Sequence, residues 1–305
     1  VLIAHLSDVH FMALDEVRPA HLIGKRFTGW VNLKLRRARE HDVEAARAVV
    51  RKIRELDVDH VVVTGDLTNL GLAHEFARVH ELFERDLALP PEAVSVVPGN
   101  HDAYAADAVR QRRFETTFAA YMTDDLPGAG GVPDADGFPY VRLRGPVAII
   151  GLRSGVPRAP LVAAGRIGVA QRNALRAVLA HAEVRRRTPV LLQHHPWHNP
   201  PSRSRRWLNG LRDADEERAA LGSVARGLLL HGHMHRRIHR VLETASGALD
   251  AIGSASASSV RGDESRLAGF NLYELADADG DLESVRALRL DLATGAFLPT
   301  PVPRA

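Results

Sequence analysis

Five times along this chain a short apolar run breaks off into Asp, Asn or His. The runs end as Leu6-Ser7-Asp8-Val9-His10, Val63-Thr64-Gly65-Asp66, Val97-Pro98-Gly99-Asn100-His101-Asp102, Leu192-Gln193-His194-His195-Pro196 and Leu230-His231-Gly232-His233-Met234-His235. An unbroken stretch of Val, Leu and Ile suits a strand covered on both faces, the situation of parallel strands in a layered α/β sheet. Ligands collect at the C-terminal edge of such a sheet. A chain with five such endings is therefore expected to fold so that its chemistry meets along one edge.

The intervening pattern agrees. Val1–Ser7, Val58–Thr64, Ala93–Pro98 and Pro189–Gln193 read as strands. Val43–Leu56, His74–Leu87, Ala106–Met122 and Ala170–His181 carry helical spacing of apolar residues. Strand-helix-strand order favours parallel pairing at the centre. Tyr140–Leu143 and Val147–Leu152 flank a Gly-Pro turn as a hairpin, and beyond Gly227 the chain is mostly β: Leu228–His231, Ile238–Glu243, Leu249–Gly253, Gly269–Leu275 and Val285–Leu290. Residues 1–298 read as one domain, 299–305 as an extended tail and 125–137 as a surface loop. No linker divides the chain.

Composition narrows the chemistry. The chain has no cysteine, which excludes disulfides and thiolate metal sites and turns attention to its 16 histidines. A net charge of +3 gives no case for general nucleic-acid binding. No run approaches the ~20 apolar residues that span a bilayer, so a cytoplasmic location is expected.

Taken singly, the motifs have plain readings. Asp8-x-His10 is a turn followed by a surface His, Asp66 is an N-cap, and Asn100-His101-Asp102 is a turn tripeptide. As ligands, Asp8 and His10 would share one side of an extended segment, and so would His233 and His235. A carboxylate at Asp66 has two oxygens and can bridge two cations, while Asn100 supplies a neutral carbonyl oxygen. His231 is read as a strand residue turned away from the ligands. Together, two Asp, one Asn and four His match the needs of two first-row ions sharing a carboxylate, of the Mn, Fe, Zn or Co kind.

In order and spacing, the series Asp8-x-His10, Gly65-Asp66, Gly99-Asn100-His101-Asp102, His194 and Gly232-His233-x-His235 resembles the calcineurin-like metallophosphoesterase signature. The resemblance implies an α/β fold, a four-layer αββα sandwich of two mixed sheets flanked by helices. It implies Asp8, His10, Asp66 and His235 on one ion, and Asp66, Asn100, His194 and His233 on the other. His195 would then face substrate or support the ligands, as would Asp102. The expected reaction is in-line attack on phosphorus by a hydroxide shared between the ions, with Asp66 bridging and His101 as general acid.

The substrate expected is a phosphorylated small molecule. The likeness is to the bacterial cyclic-nucleotide and glycerophosphodiester phosphodiesterase branch, which implies a phosphodiester. Residues 24–39, basic with interleaved Phe27 and Trp30, instead suit contact with an anionic membrane and a pyrophosphatase acting on a nucleotide-linked lipid precursor. A metal-binding scaffold without turnover is the non-enzymatic alternative; it predicts lost ligands, and none is lost. Residues 196–206 border the fourth motif, where Arg203, Arg205 and Arg206 are candidates for contact with substrate phosphate.

Overall fold

A computed structural model describes residues 1–13, 16–22, 24–35, 39–130 and 137–305. The first half of the chain runs β1 (Leu2–Leu6), α1 (Lys25–Leu35), α2 (Val43–Arg54), β2 (His60–Val63), α3 (Ala73–Leu82), β3 (Val94–Val96), α4 (Ala106–Arg110), α5 (Arg113–Thr117), β4 (Tyr140–Arg144) and β5 (Val147–Gly151). It continues as α6 (Val169–Ala180), α7 (Ala182–Arg185), β6 (Thr188–Leu192), α8 (Arg203–Asn209), α9 (Ala214–Ala220), β7 (Leu228–His231), β8 (Ile238–Glu243), β9 (Ala248–Gly253), β10 (Gly269–Leu275), β11 (Leu282–Leu290) and β12 (Phe297–Pro299).

The strands form two mixed sheets of six, ordered β12-β11-β10-β1-β2-β3 and β4-β5-β6-β7-β9-β8. In the first, β1, β2 and β3 are parallel, and in the second β5, β6, β7 and β9 are parallel. Helices flank the pair, as the four-layer expectation requires. Side-chain alternation explains why the parallel strands are apolar throughout. Val147 and Ile149 of β5, Val190 and Leu192 of β6, and Leu228 and Leu230 of β7 join the core between the sheets. Ala148, Ile150, Leu191 and Leu229, their neighbours in sequence, join a second core with Leu175 and Val178 of α6.

The helices form where the periodicity places them. In α2 the face Ala45, Ala46, Val49, Val50, Ile53 is buried, Asp42 caps the start by accepting from Glu44 N at 2.7 Å, and Arg51, Lys52 and Arg54 crowd the last turn. Two predicted helices are modified. The segment Ala106–Met122 is not one helix but α4, α5 and a 3-10 turn at Ala119–Met122, with a left-handed break at Arg112 (φ 49°). Arg113 holds the bend by donating to Gly71 O at 2.7 Å and to Asp107 at 2.9 Å. Downstream, Phe114, Phe118 and Tyr121 still pack on Phe76 and Phe83. The α3 segment leaves regular helix after Leu82 and closes through a wider turn at Phe83–Leu87.

Two buried side chains join the sheet edges. Arg142 of β4 donates to the carbonyls of Pro91 (2.8 Å), Ala120 (2.9 Å) and Thr123 (3.1 Å), and the Tyr140 hydroxyl donates to Val96 O at 2.8 Å. The last residues lie along β8, with His239 N donating to Pro303 O at 2.8 Å and Ala305 N to His239 O at 3.0 Å. Part of the expected surface loop, residues 131–136, lies outside the described residues, as do 36–38 of the basic segment. Among the described residues no helix is long and apolar enough to cross a membrane.

Candidate metal centre

Because β1, β2, β3, β6 and β7 run parallel within their sheets, the five motifs emerge at their C-terminal ends. The chain leaving β1 stays against the chain leaving β2: Asp8 N donates to Gly65 O and His10 N to Asp66 O, both at 2.9 Å. From the other sheet, the His194 ring reaches across through Nδ1 to Thr64 O at 2.8 Å.

All seven proposed ligands are brought together. At one end His235 Nε2 lies 3.1 Å from both Asp8 Oδ1 and His10 Nε2. At the other, Asn100 Oδ1 lies 3.1 Å from both His194 Nε2 and His233 Nδ1. Asp66 stands between, its Oδ2 at 3.3 Å from His194 Nε2 and 3.8 Å from His10 Nε2.

The route to this convergence differs from the extended-chain reasoning. Asp8 (φ 52°), His10 (44°), Asp66 (52°), His233 (68°) and His235 (46°) are all left-handed. Each pair therefore converges through tight turns rather than through the pleat of a strand. Such conformations cost roughly 1–3 kcal/mol each and persist where the surroundings hold them. Among the described residues only three other non-glycine positions share this conformation, so the strain is concentrated at the site. Two glycines make room. A Cβ on Gly99 would run into the Asp66 carboxylate, and one on Gly232 into the Ser7 hydroxyl and Asp8 Oδ2.

The donor set fits a pair of cations. Asp8 Oδ1 is buried against the His235 imidazole at 3.1 Å, and a single Asn100 oxygen faces two imidazoles. A buried polar atom so placed is costly unless a cation or donor satisfies it. Asp66 is buried, yet the neighbouring His194 and His101 hold it well below the usual carboxylate range. Burial disfavours a charged His194, but the Asp66 carboxylate beside it prevails and raises that imidazole to about 9. Burial lowers His233 to about 4, which suits a neutral ligand. Oxygen and imidazole together suit first-row ions.

The remaining candidates take other positions. His101 donates its backbone N–H to Asp66 Oδ1 at 2.7 Å, pairs through Nδ1 with Asn69 O at 2.7 Å and stacks on Tyr104. It lines the cavity over the site. Asp102 is turned away, accepting from Gly99 N (2.9 Å), Thr68 N (3.0 Å), Leu67 N (3.1 Å) and the Thr68 hydroxyl (3.0 Å), which locks the second and third motifs together. His195 is buried behind the ligands, held by Ser154 Oγ (2.9 Å) and Ala163 O (2.8 Å), with its ring 4.4 Å from that of His233. His231 packs near His198, away from the seven. Sequence reasoning missed His41: its ring centroid lies 4.7 Å from His10 and 5.4 Å from His235. A lone His before a helix cap carries no signal that would have found it.

The principal cavity, about 710 Å³, opens over Asp66, Asn100, His101, His233 and His235. Arg205, Arg236, Arg240 and Arg266 line it, and among the described residues its one carboxylate is Asp66. Of the arginines flagged beside the fourth motif, Arg205 lines the cavity; Arg203 and Arg206 do not.

No curated protein matches the sequence significantly. Among solved structures, a dimetal phosphatase from Danio rerio is similar over 94% of both chains at 14% identity, with a TM-score of 0.56. A purple acid phosphatase from yellow lupin seeds is similar over 99% of this chain and 53% of its own, at 10% identity and a TM-score of 0.55. At these identities the likeness speaks for the fold. A family profile described as calcineurin-like phosphoesterase matches residues 1–237, the span that carries every one of the seven candidate ligands, and the chain belongs to that family of metal-dependent phosphoric ester hydrolases.

Proposed function

We propose that the chain hydrolyses a phosphodiester. The observation that carries this reading is that two cavities meet at the same residues. The larger, about 710 Å³, and a second of about 230 Å³ are both lined by Asn100, His101, Ala163 and Asn209. A phosphorus centred there has room for a substituent on each side, as a diester needs and a monoester does not.

Asp8, His10, Asp66 and His235 would hold one ion, and Asp66, Asn100, His194 and His233 the other. The chemistry such a pair supplies when bound is polarisation of the phosphoryl oxygens and activation of water at neutral pH. The protein's own part is orientation and proton supply. Asn69 O fixes the His101 ring through Nδ1, and Nε2 would be the nitrogen that protonates a leaving oxygen. The arginines of the larger cavity favour an anionic substituent there.

Bis(p-nitrophenyl) phosphate and p-nitrophenyl phosphate compared on protein loaded with Mn, Fe, Zn or Co test the reading. A preference of about tenfold or more in kcat/KM for the diester supports it, and equal or greater monoester activity refutes it. Metal bound without any turnover would favour the scaffold.

A second reading, hydrolysis of a pyrophosphate-linked lipid precursor at a membrane, is favoured by one feature. Leu161 (84% exposed), Trp207 (57%) and Phe27 (54%) are large exposed apolar residues. Leu161 borders the smaller cavity, and Trp207 shares a neighbouring hollow with Lys25, Arg158 and Arg212. Apolar side chains among cations suit an anionic lipid surface. Within α1, Leu33 is buried and Lys34 Nζ sits 4.3 Å over the Trp30 ring, so only part of that helix is available. Sedimentation with anionic and neutral vesicles decides: binding to neither removes this reading.

A further inference from the structure

We propose that His41 is an additional protein donor at the ion position bounded by Asp8, His10, Asp66 and His235, so that the two positions of the centre are chemically unequal. The inference rests on the dinuclear reading of the site. One ring nitrogen from each of His10, His41 and His235 lies within 4.8 Å of the other two, a spacing that one ion can bridge. The residue is 5% exposed and lines none of the cavities over the site, so it faces the ligands rather than substrate.

Its orientation is fixed from behind. Nδ1 lies 2.8 Å from Ser258 Oγ and 3.4 Å from Ser256 Oγ, and Ser256 Oγ donates to the Asp8 backbone carbonyl at 2.6 Å. One imidazole nitrogen held by a hydrogen-bonding group, with the other directed at the metal, is how proteins orient a ligating histidine. The backbone is equally constrained. His41 bridges to Ser259, and Asp42, which caps α2, donates its N–H to Ser258 O at 2.8 Å. His195 makes a contrast. It too lies within 4.8 Å of two ligand imidazoles, His194 and His233, but both its nitrogens are engaged, by Ser154 Oγ and Ala163 O.

The consequence is two different donor sets. The first position would offer three imidazoles and two carboxylates, the second two imidazoles, the shared carboxylate and an amide oxygen. An imidazole-rich set favours Zn, Co and Fe over Mn and Mg. The first position should load before the second and hold its ion more tightly.

The test is titration of chelator-stripped protein with Co(II), followed by calorimetry and by the visible absorption of the bound ion. Wild type should bind in two resolved classes. In His41→Ala the tighter class should weaken by about tenfold or more, and the spectrum at one equivalent should change shape, because a donor has been removed. His41→Gln, which keeps a polar side chain beside Ser258, should behave as His41→Ala does. The melting temperatures of the metal-free variants control for folding. Unchanged affinity and spectrum in a folded variant would overturn the proposal, as would weakened binding with an unaltered spectrum, which would make His41 a support for other ligands. Failure of wild type to bind two equivalents would instead remove the dinuclear reading beneath it.

Discussion

Replacement of His101 by Ala should separate the proposed proton donation from metal binding, because the substitution removes the ring and keeps the backbone N–H. Its backbone N–H donates to Asp66 Oδ1 at 2.7 Å, and Ala keeps that bond. Its ring, fixed by Asn69 O at 2.7 Å and stacked on Tyr104, is lost. No ligand is removed, so metal content should be retained. A positioned acid contributes about 10²–10⁴-fold, which corresponds to ~2.7–5.5 kcal/mol of barrier. That contribution matters only when the leaving oxygen needs a proton. With an alkyl alcohol leaving group the variant should lose the full factor; with p-nitrophenolate, stable as an anion, it should lose less than about tenfold. The assay is kcat/KM for matched diesters of rising leaving-group pKa, on protein whose metal content has been measured. Equal loss across the series would show that the ring binds substrate rather than donating a proton. Loss of metal in proportion to activity would make the residue structural.

Three further outcomes are expected. His194 stands at about 9 in the metal-free fold against an ordinary 6.5, so at pH 7 an incoming ion must displace its proton. Apparent affinity should rise by up to about tenfold per pH unit between 7 and 9, and calorimetry in buffers of different ionisation enthalpy should detect proton release. The same raised value means that the stability this proton lends the metal-free fold is complete below pH 6.5 and lost as pH rises through about 9, which thermal melts would register. Gly232→Ala should abolish binding of at least one ion while the protein stays folded, since its Cβ would collide with Asp8 Oδ2 and the Ser7 hydroxyl; full occupancy by elemental analysis would refute this. Burial raises Glu217 to about 8 from 4.5, and its Oε1 lacks a hydrogen-bond partner. Its folded value lies above its unfolded one, so the stability is complete below about pH 4.5 and is lost as pH climbs from there through 8. Glu217→Gln should thus gain in melting temperature over wild type progressively from pH 5 to pH 9, with the largest difference at pH 9.

What the sequence disclosed and what it withheld follow from how far apart the determinants lie. Each metal motif is encoded within a few residues: an apolar run buried on both faces, then Gly or a left-handed turn, then the ligand. Parallel pairing brings such endings to a common edge, so Asp8, Asp66, Asn100, His194 and His233 could be assembled without coordinates. The local geometry was less legible. The pleat of a strand would set Asp8 and His10 on one side, whereas both adopt left-handed angles. His41 carries no local signal because what orients it, Ser256 and Ser258, lies more than 200 residues further along the chain. Arg142 is hidden for the same reason, since its role depends on the carbonyl of Val94 in the other sheet and on those of Pro91 and Ala120 in two 3-10 turns. The break at Arg112 likewise depends on Gly71, which an amphipathic pattern over Ala106–Met122 cannot report. Substrate preference belongs to this second class. The walls of the larger cavity come from α8, from the start of β8 and from Arg266, and no short window of sequence contains all three. The reaction of this chain is therefore written locally and its substrate non-locally. Substitution of Asp8, His10, Asp66, Asn100, His194, His233 or His235 should remove metal and turnover together, whereas exchange of Arg205, Arg236, Arg240 or Arg266 should change which phosphoesters are accepted while leaving the metal centre intact.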